Sequence, residues 1–152
     1  KIKAIVTKGE KRILLQSATG SGKTIIGSSF IKDFMNDNPN SKVMFLVNLQ
    51  VLVGQSFETL RDICSPIIPQ VLHDELNKSP DGTIYTADPK GRLLITMIET
   101  YLNTMQTGKN KLSWPKNWIP DLVVIDEAHK ATSIMYQVLR DRFPKAIILG
   151  MT

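Results

Sequence analysis

Residues 12–35, RILLQSATGSGKTIIGSSFIKDFM, decide the fold of this chain. An apolar run from Ile13 to Leu15 leads into the Gly- and Ser-rich segment 17–24, and apolar residues then recur at helical spacing. The pattern predicts a strand, a tight loop and the first turn of a helix. Backbone N–H groups of such a loop and the positive end of the helix point to one place, so the stretch predicts a phosphate-binding cradle.

The side chains of segment 17–24 indicate a nucleoside triphosphate as the ligand. Lys23 adds a positive charge to the cradle, and the Thr24 hydroxyl can coordinate Mg²⁺. The strict pattern begins with Gly, whereas this chain has Ser17, whose side chain disfavours a left-handed backbone. A turn that only reverses the chain is the alternative interpretation. The residues predicted to bind the nucleotide are Thr19, Gly20, Ser21, Gly22, Lys23 and Thr24.

The composition is typical of a globular domain. The chain has 152 residues, of which 42% are hydrophobic and 22% charged. No apolar run has the length of a membrane span and no secretory signal opens the chain, so we expect no membrane insertion and a cytoplasmic or otherwise intracellular location. The single cysteine, Cys64, cannot form an internal disulfide. The formal net charge of +5 favours a polyanionic partner without establishing one.

Apolar runs and helical patterns alternate along the rest of the chain. Runs typical of buried strands are found at 12–16, 43–47, 93–96, 122–125 and 146–149, with a weaker candidate at 70–73. Helical patterns are found at 1–8, 26–35, 48–60, 98–105 and 131–142, and 106–120 is predicted to be a loop. This alternation predicts a doubly wound α/β fold, with a mostly parallel sheet, helices on both faces and ligands at the carboxyl ends of the strands.

Two of these helices carry specific expectations. Ile26, Phe30 and Phe34 are predicted to give the first helix an apolar face against the sheet, and Ile134, Val138 and Leu139 are predicted to lie on one side of the last helix. Asn48 is predicted to cap the helix that follows the strand 43–47.

A pair of carboxylates follows the apolar run 122–125. Asp126 at such a strand end can hold Mg²⁺ opposite the Thr24 hydroxyl, and Glu127 can polarise a water molecule against the γ-phosphate. Two acids that open the next helix are the alternative interpretation. The phosphate cradle earlier in the chain makes a metal and water site the better prediction.

Three segments resemble the motifs of superfamily 2 helicases and translocases. Residues 126–129 read DEAH, 17–24 are similar to the phosphate loop of that superfamily, and 148–152, ILGMT, resemble the start of its third motif. The resemblance covers essentially the whole chain and is greatest to restriction-enzyme motor subunits, repair helicases and phage helicases. It implies a RecA-like P-loop NTPase fold and a motor that couples ATP hydrolysis to movement on nucleic acid, with DNA expected as the partner.

The resemblance also implies roles for particular residues. Lys23 would contact the β- and γ-phosphates of ATP, Thr24 and Asp126 would hold Mg²⁺, and Glu127 would act on the attacking water. His129 would couple the nucleotide state to the third motif and to the nucleic acid.

Nucleic-acid contacts are implied at three further residues. Segment 48–55 takes the place of a Pro-Thr-Arg-x-Leu-x-x-Gln pattern, in which Gln55 is retained while Gln50 replaces the usual Arg. Thr96 ends a strand where the family places a threonine that contacts the backbone of the nucleic acid. Asn48, at the start of segment 48–55, is the third residue with an implied contact to nucleic acid. A helix cap and a strand-end hydroxyl are the alternatives for Asn48 and Thr96.

The residues Trp114 and Trp118 interleave with basic residues in the predicted loop 106–120. Base stacking is conceivable for such a pattern, but anchoring of the loop by two buried aromatic side chains is the better prediction.

We therefore expect residues 1–152 to be the first RecA-like domain of a superfamily 2 DNA helicase or translocase, as a fragment truncated at both ends. The resemblance places an adenine-reading glutamine before Lys1 and an arginine finger in a second RecA-like domain beyond Thr152. Two other classes remain open. One is a P-loop switch that controls a protein partner, and the other is a basic nucleic-acid-binding module with an inactive nucleotide site.

Overall fold

The computed structural model describes residues 8–16, 22–107 and 114–152. The strands are β1 (Arg12–Leu15), β2 (Val43–Val47), β3 (Gln70–Leu72), β4 (Leu93–Met97), β5 (Leu122–Ile125) and β6 (Ile147–Met151). The helices are α1 (Lys23–Asp37), α2 (Gln50–Ile63), α3 (Ile98–Thr107) and α4 (Ser133–Arg142), with a 3-10 turn at Ala128–Lys130. The predicted helix at 1–8 and the middle of the predicted loop at 106–120 lie outside the described residues.

The six strands form one sheet in the order β1-β6-β5-β2-β4-β3, and every pairing between neighbours is parallel. Parallel strands require crossovers, which the helices supply. The carboxyl ends of all six strands therefore lie along one edge of the sheet. The predicted α/β fold with a parallel sheet is confirmed.

The core has two layers, one on each face of the sheet. On one face, α1 and α2 pack on alternate residues of the strands, including Phe45, with Phe30, Ile31, Phe57 and Leu60 among the buried side chains. On the other face, α3 and α4 bury a second cluster that includes Met44, Tyr101, Leu139 and Phe143. Strand β2 has apolar neighbours on both faces, and its residues are completely buried.

The prediction that β1 is buried on both faces is wrong. Leu14 is 65% exposed, and in the described part of the chain β1 pairs with β6 alone. An apolar run predicts a strand, but the burial of that strand depends on its place in the sheet. Ile13 and Leu15 pack against the core, whereas the face of β1 that carries Leu14 is left open in the described part of the chain.

Three helix predictions also need correction. The residue before α2 is Leu49, in an extended conformation, so Asn48 is not the cap of that helix. Thr132 caps α4, where its hydroxyl accepts a hydrogen bond from Met135 N at 3.2 Å, so this helix begins after the predicted 131. Ile26 and Ile134 are exposed. In α1 the buried face instead begins at Gly27, which lies directly against Met151 of β6, so Ile26 points away from the sheet.

The tryptophan pair anchors its loop, as predicted. Trp114 and Trp118 are both buried and meet edge to face with ring centroids 5.4 Å apart. Trp118 Nε1 donates to the carbonyl of Gly91 at 3.2 Å. Their buried faces are not available to stack on bases in this conformation. In the described residues, no helix combines the length and apolarity that crossing a bilayer requires.

Candidate nucleotide site

The described part of the phosphate cradle is the start of α1. Gly22 precedes the helix with φ of +73°, a left-handed conformation that a residue with a side chain adopts at a cost. Lys23 and Thr24 follow as the first two residues of the helix, where N–H groups remain unpaired by the helix itself. The predicted nucleotide-binding residues Thr19, Gly20 and Ser21 lie outside the described residues.

The carboxylate pair lies at the carboxyl end of β5. Asp126 is 7% exposed, its backbone N–H donates to Leu46 O at 2.9 Å, and its Oδ1 accepts from Glu127 N at 3.0 Å. Burial raises the pKa of the Asp126 carboxyl, and the nearby Glu127 charge adds to this effect. The ionised carboxylate therefore lacks full compensation and would gain from a cation.

Lys23 and Glu127 connect the two predicted motifs. Lys23 Nζ lies 3.4 Å from Glu127 Oε1, although the two residues are 104 positions apart in the chain. Their side chains are 14% and 29% exposed, so the pair is only partly screened by solvent. The fold thus brings the end of the phosphate cradle against the acids at the end of β5, as the sequence predicted for one shared site.

The oxygen ligands present fit Mg²⁺. This ion takes one or two carboxylates together with substrate phosphates and water. The Asp126 carboxylate is such a ligand, and the Thr24 hydroxyl offers a further oxygen atom. Among the described residues, no cluster of three or more acidic, histidine or cysteine side chains could form a complete protein cage.

His129 links this site to the end of β6. Its Nδ1 lies 2.7 Å from Thr152 Oγ1 and 3.4 Å from Glu127 Oε2. A continuous series of contacts thus runs from Lys23 through Glu127 and His129 to Thr152. The sequence predicted a link between His129 and the third motif, and these contacts supply one.

The turn that carries these side chains has a strained entry. Glu127 has φ of +51°, and it is the one residue other than glycine with positive φ in the described residues. This conformation costs about 1 kcal/mol or more for a residue with a long side chain. The 3-10 turn follows directly after Glu127. The strained residue is thus the same one that the resemblance predicts to act on water.

The candidate nucleic-acid residues are not gathered in one patch. Gln55 is exposed on α2. Thr96 is fully buried and its hydroxyl donates to Leu72 O at 2.9 Å, so in this conformation it does not reach the surface. Asn48 lines a cavity of about 180 Å³ beside Asp126 and Glu127. Its buried Oδ1 has no hydrogen-bond partner among the described residues.

Sequence reasoning missed one contact at this site. Tyr136 of α4 donates its hydroxyl proton to Ala128 O at 3.2 Å, within the DEAH segment 126–129. Helical periodicity predicts which face of a helix is buried, but it does not identify the acceptor of a single hydroxyl.

Known proteins share both the sequence pattern and the fold. IRC3 of Saccharomyces cerevisiae, whose name describes an ATP-dependent helicase, is 28% identical over 143 residues, which cover 91% of this chain and 19% of that protein. The ATP-dependent DNA helicase MPH1 of Pyricularia oryzae is 29% identical over 120 residues, covering 78% of this chain and 10% of that protein. This chain therefore spans less than a fifth of these relatives.

The crystal structure of the UvsW helicase from bacteriophage T4 has a similar fold, with a TM-score of 0.68 and 18% sequence identity. The match covers 98% of this chain and 50% of that chain. At this identity the similarity concerns the fold alone. The model of the family described as "Type III restriction enzyme, res subunit" matches residues 1–152, and the chain therefore belongs to this family as an ATP-binding domain of the superfamily 2 helicase type.

Proposed function

We propose that this chain is the first RecA-like domain of a DNA helicase or translocase and contributes one half of its ATP site. The observation that carries the proposal is the 3.4 Å contact between Lys23 Nζ and Glu127 Oε1. Lys23, as the proposed phosphate-binding cation, and Glu127, as the acid proposed to act on water, are thus close enough to serve one triphosphate. Membership of the family and the helicase names of the relatives support it.

Lys23 exchanges partners when the nucleotide binds. Its ammonium group leaves the Glu127 carboxylate and contacts the β- and γ-phosphates, while the N–H groups at the start of α1 donate to phosphate oxygens. Glu127 is then free to orient a water molecule in line with the γ-phosphate and to accept its proton. Gly22 allows the backbone to approach the phosphates because it has no side chain.

Asp126 and Thr24 would hold Mg²⁺ in the nucleotide complex. The ion would neutralise charge on the phosphate oxygens. The burial of Asp126 and the hydrogen bond from Glu127 N to its Oδ1 keep this carboxylate in one position.

His129 transmits the state of Glu127 to β6. The 2.7 Å contact to Thr152 and the 3.4 Å contact to Glu127 make its ring the physical link between the acid and the end of that strand. A movement of the Glu127 carboxylate during hydrolysis would therefore reach the third motif through one side chain.

The partner is nucleic acid, and a second RecA-like domain completes the motor. The net charge of +5 favours a polyanion, and the name of the relative MPH1 describes a DNA helicase. The coverage of half of the UvsW chain and less than a fifth of IRC3 supports a longer protein. An arginine finger from the second domain is worth about 10³–10⁵ in turnover, so residues 1–152 alone should hydrolyse ATP very slowly.

The test is ATPase activity of the full-length protein with single-stranded DNA, duplex DNA and RNA. We expect stimulation by DNA, and Lys23→Ala should abolish it. Lys32→Ala is the matched control, because Lys32 is an exposed lysine further along the same helix. Turnover without stimulation by any nucleic acid would favour a P-loop switch. Activity that survives Lys23→Ala would exclude the assigned site.

A further inference from the structure

Three elements meet tightly behind the DEAH segment. A Cβ built on Gly150 of β6 would lie 2.9 Å from Ala128 Cβ and 3.1 Å from Tyr136 Oη. Both distances are shorter than ordinary van der Waals contact, so β6, the 3-10 turn and α4 approach each other as closely as a residue without a side chain allows.

The Tyr136 hydroxyl holds this junction together. It donates to Ala128 O at 3.2 Å, and the same carbonyl accepts a second hydrogen bond from Ala131 N at 3.1 Å. Both acceptor positions of the carbonyl are thus used, which fixes the orientation of the peptide between Ala128 and His129. Burial raises the pKa of Tyr136, so the hydroxyl keeps its proton and remains a donor.

The fixed peptide lies between the two side chains that the proposed mechanism needs. Glu127 precedes Ala128 with a strained φ of +51°, and His129 follows it with its ring against Thr152. A strained residue persists only where its surroundings determine it. Within the described residues, the hydroxyl of Tyr136 is the side-chain donor that reaches the backbone of this turn from another element.

We propose that Tyr136 is a positioning residue for ATP hydrolysis. By holding the Ala128 carbonyl, it keeps the Glu127 carboxylate aimed at the attacking water and the His129 ring against the end of β6. The inference rests on the proposed function of the site. It adds a residue outside the three motifs, which acts on the chemistry through the backbone and does not touch the nucleotide.

The first test is Tyr136→Phe in the full-length protein, which removes the hydroxyl and keeps the ring. We expect kcat for ATP to fall about threefold to tenfold, the equivalent of one hydrogen bond between neutral groups. KM for ATP should stay within about twofold, since the residue does not contact the substrate. Tyr85→Phe is the matched control, because Tyr85 packs on the opposite face of the sheet against Phe57.

The second test is a double-mutant cycle with Gly150→Ala. The added methyl group would meet both Ala128 and the Tyr136 hydroxyl, whereas in the Tyr136→Phe background the second contact is absent. We expect Gly150→Ala to lower kcat more in the wild-type protein than in the Tyr136→Phe variant. If the effects of the two substitutions on kcat are additive, the two residues act independently and the inference is wrong.

The outcomes separate this inference from the proposed function. If Lys23→Ala is inactive while Tyr136→Phe turns over like the wild-type protein, the positioning role is wrong and the ATP site stands. If Lys23→Ala retains full activity, the proposed function fails first. A loss of kcat in Tyr136→Phe that merely follows a fall in Tm also overturns the positioning role. Unchanged Tm with reduced kcat and an unchanged KM supports it.

Discussion

Replacement of Arg92 by alanine should destabilise the chain strongly, because this side chain anchors the carboxyl end of α1. Arg92 Nε donates to Ser41 O at 2.9 Å, and Nη2 donates to Asn38 O at 2.9 Å and Met35 O at 3.1 Å. These carbonyls belong to the end of α1 and the connection to β2. Positive charge at this end of a helix also compensates the negative end of its dipole.

The magnitude follows from the nature of these bonds. A hydrogen bond that involves a charged group contributes about 1.5–3 kcal/mol, but bonds from one side chain share their ordering cost and are not additive. Arg92 is partly buried, so solvent screens the bonds incompletely. We expect a loss of about 3 kcal/mol in the free energy of unfolding, which corresponds to a decrease of about 6–12 °C in Tm for a chain of this size.

Thermal unfolding, followed by the fluorescence of the buried Trp114 and Trp118, measures this loss. Arg61→Ala is the matched control. Arg61 also makes several bonds, to Asp81, Asp62 and Thr83, but these partners are side chains on the surface. Its loss should therefore have a much smaller effect. Equal shifts for the two arginine variants, or a change of less than about 2 °C for Arg92→Ala, would refute the argument that backbone carbonyls make the difference.

Four further predictions concern the site and its supports. Glu127→Gln should keep ATP binding, measured with a fluorescent analogue, and lower phosphate release by at least about a hundredfold, as expected for loss of a general base. Asp126→Asn should stabilise the nucleotide-free chain at neutral pH. Since the folded pKa of Asp126 is raised, the folded state binds more protons than the unfolded state above the ordinary value of 3.8, and wild-type stability falls as pH rises through this range. Melting curves of both proteins should therefore converge below pH 3.8. Thr132→Ala should cost about 1 kcal/mol in urea unfolding through loss of the α4 cap, and no cost would contradict the observed bond. Cys64, whose pKa burial raises to about 11, should react with iodoacetamide at pH 8 more slowly than in the urea-unfolded chain.

The buried strands could be predicted from the sequence almost to the residue. The bounds of β2 and β5 are the predicted ones. A short run of apolar residues between polar neighbours is typical of a strand that is buried on both faces of a parallel sheet. The exposure of Leu14 could not be predicted in this way. It depends on which strands lie beside β1, and the order of strands is a property of the whole chain.

The two ends of the candidate site were predictable because parallel topology places strand ends at one edge. Lys23, Asp126 and Glu127 meet there as expected. The helix cap assigned to Asn48 was wrong because Leu49 is the residue that precedes the helix, and the Asn48 side chain lies instead in the cavity beside Asp126. Asparagine is favoured at helix caps, but this preference does not determine at which residue after the strand the helix begins.

The contact between Lys23 and Glu127 also limits when the proposed site can react. In the structure each side chain neutralises the other, and both are needed elsewhere once a triphosphate is bound. A partly exposed pair of this kind is worth about 0–1 kcal/mol, so the phosphates of a nucleotide can separate it easily. Until they do, the carboxylate that would accept a proton from water has a lysine as its nearest charge. In the proposed reaction, the phosphates must therefore take Lys23 away from Glu127 before this carboxylate can turn to a water molecule. The order of events in the proposed reaction, binding before activation of water, thus follows from one ion pair.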